Sequence, residues 1–319
     1  MHTLPLSGEC RLIRVQKLVW QQFDGVLKRI AAGEAVAVDA WPNAGPRPDE
    51  FDLEPRAGQL GWPQTPGWLD LALLQGNLKG LKVEYFHTID STNTYAAALP
   101  PEHGRVCIAE HQQVGRGRRQ RQWLSPYARS LSITLEYHLH RPLAQLGGLS
   151  SVVGLAVVQV LRDLGAQGVG LKWPNDVLFE RSKLCGILVE LLGSEQGSRV
   201  LIGTGVNVDL TAAEIQSIEQ PVQSVRACGV AAARTEIALA IIERKFEMLH
   251  RFEREGMASF IDAFNSEHIY HHDHCTILTG DESKTGYVLG IEADGGLRLD
   301  LAGSEQVFHG GEVSLRPLS

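Results

Sequence analysis

The sequence predicts a mixed α/β (α+β) domain followed by a small β-barrel, with an N-terminal extension of uncertain fold ahead of both. Three observations carry this. From Leu81 to Glu267, apolar runs of strand length alternate with stretches of helical periodicity. From Cys275 to Leu318, short strands are punctuated by Gly280, Gly286, Gly290, Gly295, Gly296, Gly303, Gly310 and Gly311, the spacing of a barrel of about five strands. From Trp41 to Gly67, six prolines interrupt any regular pattern. The division is therefore 1–80 extension, 81–268 main domain and 269–319 barrel.

In the extension, Arg11–Ile30 reads as an amphipathic helix, Trp41–Gly67 as loop, and Leu69–Gly80 as a short helix. Val83–Ile89 reads as a strand, with Ser91 or Thr92 able to cap the helix after it. Val106–Gln112 is a strand, Val114–Tyr127 a polar Arg-rich loop, and Leu131–Leu139 an alternating strand. Leu146–Leu164 is a helix ending at Gly165. Val169–Trp173, Leu184–Leu192 and Val200–Val208 are strands, and Thr235–Glu255 and Ala258–Glu267 are helices.

Composition excludes several classes. The chain has 319 residues, 44% of them hydrophobic, enough for a large core plus a satellite domain. A net charge of −7 argues against a basic surface field for nucleic acid. Cys10, Cys107, Cys185, Cys228 and Cys275 make an odd set without CxxC spacing, which fits a reducing compartment. No apolar run reaches the ~18 residues that span a bilayer, and the first residues do not read as a signal peptide. A soluble, cytoplasmic protein without a membrane partner is the expectation.

Chemistry concentrates in three segments. Gly115-Arg116-Gly117-Arg118-Arg119-Gln120-Arg121-Gln122-Trp123 holds four arginines with no acid nearby, suited to carboxylate and phosphate. A solvated or RNA-binding basic loop is the plainer alternative, and Trp123 could equally anchor the loop in the core. Lys172-Trp173-Pro174-Asn175-Asp176 ends a strand in a rigid turn, and Lys183 follows at the start of an apolar strand. Lys183 is either an exposed edge residue or a charge aimed into a cleft, where Asp176 could orient it and help hold a metal ion. Gly203-Thr204-Gly205-Val206-Asn207 places glycines inside a strand, the mark of a bulge or a close ligand.

In order and spacing, from about residue 82 to 318, these segments resemble the biotin protein ligase (biotin–[acetyl-CoA-carboxylase] ligase) family. The resemblance rests on Ile89-Asp90-Ser91-Thr92-Asn93, Ala109 to Arg119, Lys172 to Asp176, Lys183 to Glu190, Gly203 to Asn207 and Gly310 to Arg316. It implies an SH2-like mixed-sheet catalytic domain of the biotin/lipoate ligase type, then an SH3-like barrel. It implies ATP and Mg²⁺ as cofactors and biotin as substrate. Biotin is activated as biotinyl-5′-AMP and passed to a lysine of a biotin carboxyl carrier protein, such as an acetyl-CoA carboxylase subunit. Ser91, Thr92, Asn93, Gln112, Gly115, Arg116, Gly117, Arg118, Lys183, Gly186, Gly203 and Gly205 would bind biotin. Arg118, Arg119, Arg121, Trp123, Lys172, Asn175, Lys183 and Asn207 would bind ATP. Asp176 would hold Mg²⁺, and Lys183 and Arg118 would be catalytic. Strands of this family can also pair between subunits, so a homodimer is expected.

Gln120 departs from the family pattern, standing where many members have glycine. No tryptophan follows Asn207 to stack on adenine; Pro221, Val222 and Val225 are the candidates to cover the base. No winged helix-turn-helix is legible in residues 1–80, so DNA is not expected as a partner, and a biotin-responsive repressor ranks behind the ligase reading. A lipoate-protein ligase is the nearest rival. His268, His271, His272, His274 and Cys275 read as a polar linker before a metal site.

Overall fold

The computed structural model describes residues 22–42, 47–51, 53–61, 67–194, 197–279, 282–310 and 313–317. The expected helix Arg11–Ile30 thus lies outside the described residues up to position 21; the remainder is helix α1 (22–31). Its Phe23, Leu27 and Ile30 recur at helical spacing and enter a small core with Val36, Trp41, Phe51 and Leu60. Strands β1 (Val36–Ala37), β2 (Glu54–Arg56) and β3 (Gln59–Gly61) complete this unit in the antiparallel order β1-β3-β2. The Trp41–Gly67 stretch is therefore not all loop. Pro55 is tolerated because β2 is an edge strand, where its missing N–H breaks no ladder. Ala57 and Gly58 turn the hairpin with φ of 49° and 77°.

This unit is docked, not tethered. Tyr127 of the following domain joins its core, and Phe51 lies edge-on to His111, with ring centres 4.9 Å apart. Asp24 accepts the backbone N–H of His87 at 2.6 Å and that of Thr88 at 3.4 Å.

The main domain runs α2 (Leu71–Asn77), β4 (Lys82–Phe86), α3 (Thr92–Ala97), β5 (Arg105–Ala109), β6 (Ser130–Leu139), α4 (Leu149–Asp163), β7 (Val169–Lys172), β8 (Asp176–Phe179), β9 (Ser182–Ser194), β10 (Gly197–Asn207), α5 (Ala212–Ser217), α6 (Arg234–Glu255) and α7 (Ile261–Glu267). Its sheet has the order β4-β5-β6-β10-β9-β8-β7, and β4 with β5 is the parallel pair among those described. Side chains alternate across the sheet, so neighbours in sequence face opposite layers. Thr204 on β10 turns toward α6 and accepts a hydrogen bond from Lys245 Nζ at 3.1 Å. Gly203 and Gly205 turn the other way, toward α3 and the arginine loop. One face is thus covered by α4 and α6, and the other by α3. Helix α4 buries Val152, Val153, Leu155, Ala156, Val157 and Val160 and stops where Gly165 takes φ 97°.

Strands β11 (His274–Thr279), β12 (Glu282–Ile291), β13 (Leu297–Asp300), β14 (Glu305–Phe308) and β15 (Val313–Pro317) form an antiparallel sheet in the order β14-β13-β12-β11-β15. It bends at a bulge between Val288 and Gly290. Among the described pairings no β14–β15 contact closes it into a barrel. Cys275, Leu297 and Leu315 share one core with the main domain's α4 and α6. Trp173 Nε1 donates to Gly295 O at 3.0 Å. A Cβ on Gly295 would collide with the backbone of Gly148, so the two domains touch backbone to backbone.

The His268–Cys275 stretch does not gather around an ion. No group of three or more His, Cys, Asp or Glu suited to a metal exists among the described residues. His268 is buried and stacks on Phe264, and burial pushes its imidazole pKa down to about 3. Cys275 is a core residue of β11. Cys107, Cys185, Cys228 and Cys275 are free thiols. No helix among the described residues is long and apolar enough to cross a membrane.

Candidate active site

A cavity of about 860 Å³ opens on the α3 side of the sheet. Its floor is bare backbone. Strands β9 and β10 pair Gly186 with Gly205, and Gly203 lies two residues before. A Cβ on Gly203 would meet Asn93 Oδ1 at 2.5 Å, and one on Gly205 would meet Trp123 Nε1 at 2.6 Å. One on Gly186 would come within 3.1 Å of both Lys183 and Trp123. These glycines are there because other side chains lie flat on the strands. Gly205→Ala should therefore push the indole aside and cost about 1–3 kcal/mol of stability. Thermal unfolding measures this; an unchanged midpoint would mean that Trp123 moves freely.

The wall is the N-terminus of α3. Ser91 caps it, its Oγ accepting from Thr94 N at 3.4 Å. Thr92 donates from N and Oγ1 to Gln112 Oε1, at 2.8 and 3.0 Å. Asn93 is buried and committed to protein: its Nδ2 donates to Glu190 Oε2 at 2.8 Å and its Oδ1 accepts from Thr134 Oγ1 at 2.5 Å. It shapes the wall with both polar atoms already engaged.

The lid is a short hairpin. Gly117 N donates to Arg121 O at 2.7 Å and Trp123 N to Gly115 O at 2.8 Å. Gly115 is required where the arms converge, because a Cβ there would strike Trp123 O. It does not line the cavity, so its role is to close the hairpin. At the tip, Arg119 and Gln120 both take positive φ, 56° and 58°. The residue that departs from the family pattern thus sits in the left-handed region that glycine favours.

Arg116 pairs with Glu190 Oε1 at 2.6 Å, and Arg118 donates to Asn175 Oδ1 at 2.9 Å. Burial lowers the Arg118 pKa, with Asp176 opposing the shift. Lys183 Nζ lies 2.8 Å from Asp176 Oδ1 and 5.5 Å from the centre of the Trp123 ring. Burial also lowers the pKa of Lys172, again against the pull of Asp176. Asn207 Nδ2 donates to Lys183 O at 3.3 Å. Asp176 is the carboxylate beside Lys183, Lys172 and Arg118, while Glu190 is engaged with Arg116. That suits a divalent ion arriving on phosphate oxygens better than a resident one. The assembly is built for an anionic ligand whose charge must be held away from water.

Two contributors were missed from sequence. Residues 217–220 line the cavity, and the segment continues through Pro221 and Val222 beside β9, with Lys183 N donating to Pro221 O at 2.9 Å. Of the three residues suggested to cover a base, Pro221 and Val222 line the cavity; Val225 does not, and is wholly buried. Arg316 of β15 reaches the cavity from the C-terminal sheet. Its position in the ordered ending was visible, but no local pattern aimed it at a site more than a hundred residues upstream.

Residues 85–207 match the biotin/lipoate A/B protein ligase family, and residues 273–316 match the biotin protein ligase C terminal domain. The bifunctional ligase/repressor BirA of Escherichia coli is 35% identical over 257 residues, 80% of each chain. The biotin–[acetyl-CoA-carboxylase] ligase of Mycobacterium tuberculosis is 31% identical over 216 residues, 66% of this chain and 78% of that one. Among solved structures, a biotin protein ligase from Aquifex aeolicus in complex with biotin and ATP superposes with a TM-score of 0.65 at 27% identity, covering 74% of this chain and 99% of that one.

Proposed function

The chain belongs to the biotin protein ligase family, and from that premise we propose that its cavity joins biotin to AMP and passes the biotinyl group to a carrier lysine. The observation that carries this is the placement of Lys183 and four lid arginines over a glycine floor that ends at a capped helix N-terminus. Ser91, Thr92 and Gln112 present the polar atoms suited to the ureido head of biotin, with Asn93 and Gly203 setting the depth. Gly186 and Gly205 let Lys183 and Trp123 lie flat on the strands, so that these side chains border the space for the ring and the valeryl chain.

The biotin carboxylate attacks the α-phosphorus of ATP, and pyrophosphate leaves. Two anions must approach, so Arg116, Arg118 and Lys183 offset the repulsion and stabilise charge at the reacting oxygens. Arg119, Arg121, Trp123, Lys172, Asn175 and Asn207 are assigned to the nucleotide, with Pro221 and Val222 beside the base and Arg316 adding positive charge. Asp176 would be the carboxylate to face a Mg²⁺ held with the nucleotide, which would offset phosphate charge. In the second half-reaction, the carrier amine attacks the mixed-anhydride carbonyl and AMP departs with the electron pair. The lid holds the anhydride away from water between the two steps.

The test is purified protein with ATP and Mg²⁺, comparing biotin with lipoate by pyrophosphate release and by label transfer to a biotin carboxyl carrier domain. Biotin-dependent labelling of the carrier lysine is expected. Activity with lipoate alone would move the protein to the lipoate ligases.

The same reading extends to three further points. The bulged C-terminal sheet is assigned as an SH3-like barrel. A reducing cytoplasm is the proposed setting, a reading supported by four free, buried thiols among the described residues. The enzyme forms a homodimer through β9: β8 covers that strand only as far as Gly186, and Leu191 and Leu192 beyond it are 43% and 40% exposed. Sedimentation should show a dimer that Leu191→Arg dissociates; a monomer at tens of micromolar would refute this. DNA is not part of the proposed activity. Lys28, Arg29 and Arg56 of the N-terminal unit pair with Asp24, Glu34 and Glu54 at 2.6, 2.8 and 3.6 Å, and so present no basic face of their own.

A further inference from the structure

One carboxylate touches both the wall and the lid of the cavity, yet has no part in the reaction just described. Glu190 lies on β9 with its side chain a quarter exposed. Its Oε2 accepts from the buried Asn93 Nδ2 at 2.8 Å, which fixes the carboxylate in place. Its Oε1 lies 2.6 Å from Arg116 on the lid's first arm. Asn93 is itself held by Thr134 and seated over Gly203. A continuous chain therefore runs from the sheet, through the head-group wall, to the lid.

From this geometry we propose that Glu190 is a positioning residue: it holds the Arg116 guanidinium so that the lid stays over the bound adenylate. A guanidinium has five N–H donors in a fixed plane. Arg116 uses one nitrogen on Glu190 and another on Thr94 Oγ1 at 3.3 Å. The remaining donors stay available on the cavity that Arg116 lines. Arg116 can thus hold its anchor and an anion together, and anchor and ligand reinforce each other. An ion pair in which the arginine side chain is 45% exposed is weak by itself. It can therefore steady the lid without locking it, and the lid must open for the carrier.

This inference rests on the biotin ligase reading, so the experiment is arranged to separate the two. Glu190→Gln keeps an oxygen for Asn93 and removes the charge facing Arg116. Full-length wild type, E190Q, R116Q and the double variant are compared with biotin and MgATP. Adenylate escaping into solution is trapped with hydroxylamine, and KM for biotin and kcat for pyrophosphate release are measured separately. E190Q is expected to raise escape about tenfold and to raise KM for biotin more than it lowers kcat. R116Q should do the same, and the double variant should add little to either, as for two residues acting through one contact. Glu190→Asp, which retains the charge, should recover part of the loss. Unchanged escape in E190Q, or independent additive effects of the two substitutions, would overturn the proposal. A wild type that makes no adenylate from biotin would instead sink the ligase reading. Should E190Q fail to fold, R116Q and E190D carry the same test from either end of the contact.

Discussion

Lys183→Ala should slow adenylate formation by at least about a hundredfold, a loss of roughly 3 kcal/mol of transition-state stabilisation. Two effects combine. The ammonium beside the reacting centre disappears, and Asp176, which faces Lys183 at 2.8 Å, loses its paired cation where phosphate must approach. Lys183→Arg should recover little, because Gly186 and the Trp123 ring already crowd the lysine tip and a planar fork does not fit there. The measurement is single-turnover pyrophosphate release at saturating biotin and ATP. A rate within threefold of wild type would remove Lys183 from the chemistry and leave it a structural partner of Asp176.

The second large effect concerns stability. Lys245 is wholly buried on α6, and its polar partner among the described residues is the Thr204 hydroxyl. With no acid paired to it among the described residues, burial drives its pKa down from 10.5 to about 7. The unfolded chain binds this proton more tightly than the folded one between those two values. Stability therefore rises with pH from about 7 to about 10.5 and carries its full penalty below 7. The gap corresponds to roughly 4–5 kcal/mol across the window. Lys245→Met, of similar length and without charge, should raise the unfolding midpoint at pH 7 by several degrees and flatten that pH slope. Thermal melts at pH 7 check the first, and denaturant titrations at pH 7 and pH 9.5 check the second. An equal pH slope in wild type and variant would show that the lysine finds water or a proton acceptor inside.

The site was more legible than the scaffold. Wherever chemistry demands a residue type at a fixed spacing, as in the lid arginines, the Lys172–Asp176 turn and the glycines of β10, the sequence pointed to positions that line one cavity. Asn93 was assigned to ligand, but its amide is spent on Glu190 and Thr134, which only tertiary geometry reveals. Strand β8 was missed because four residues are too few for a periodic signal and the adjoining turn dominated the reading. Helix α5 was missed too, although Thr211 and Glu214 form a capping box. The hairpin of β2 and β3 hid behind prolines that an edge strand tolerates. Arg316 reaches the cavity through pairing between distant strands, information that no local window holds.

The backbone-to-backbone seam between Gly147–Gly148 and Asp294–Gly295 also bears on how such a chain can evolve. Side-chain interfaces drift, because one partner can shrink while the other grows. Here the contact is made by backbone, and a single added methyl group on Gly147 or Gly295 would strike the facing chain. The catalytic domain and the C-terminal sheet are consequently heritable only as a pair. A sheet grafted from a distant homologue would succeed or fail first at position 295, whatever the quality of the rest of its surface.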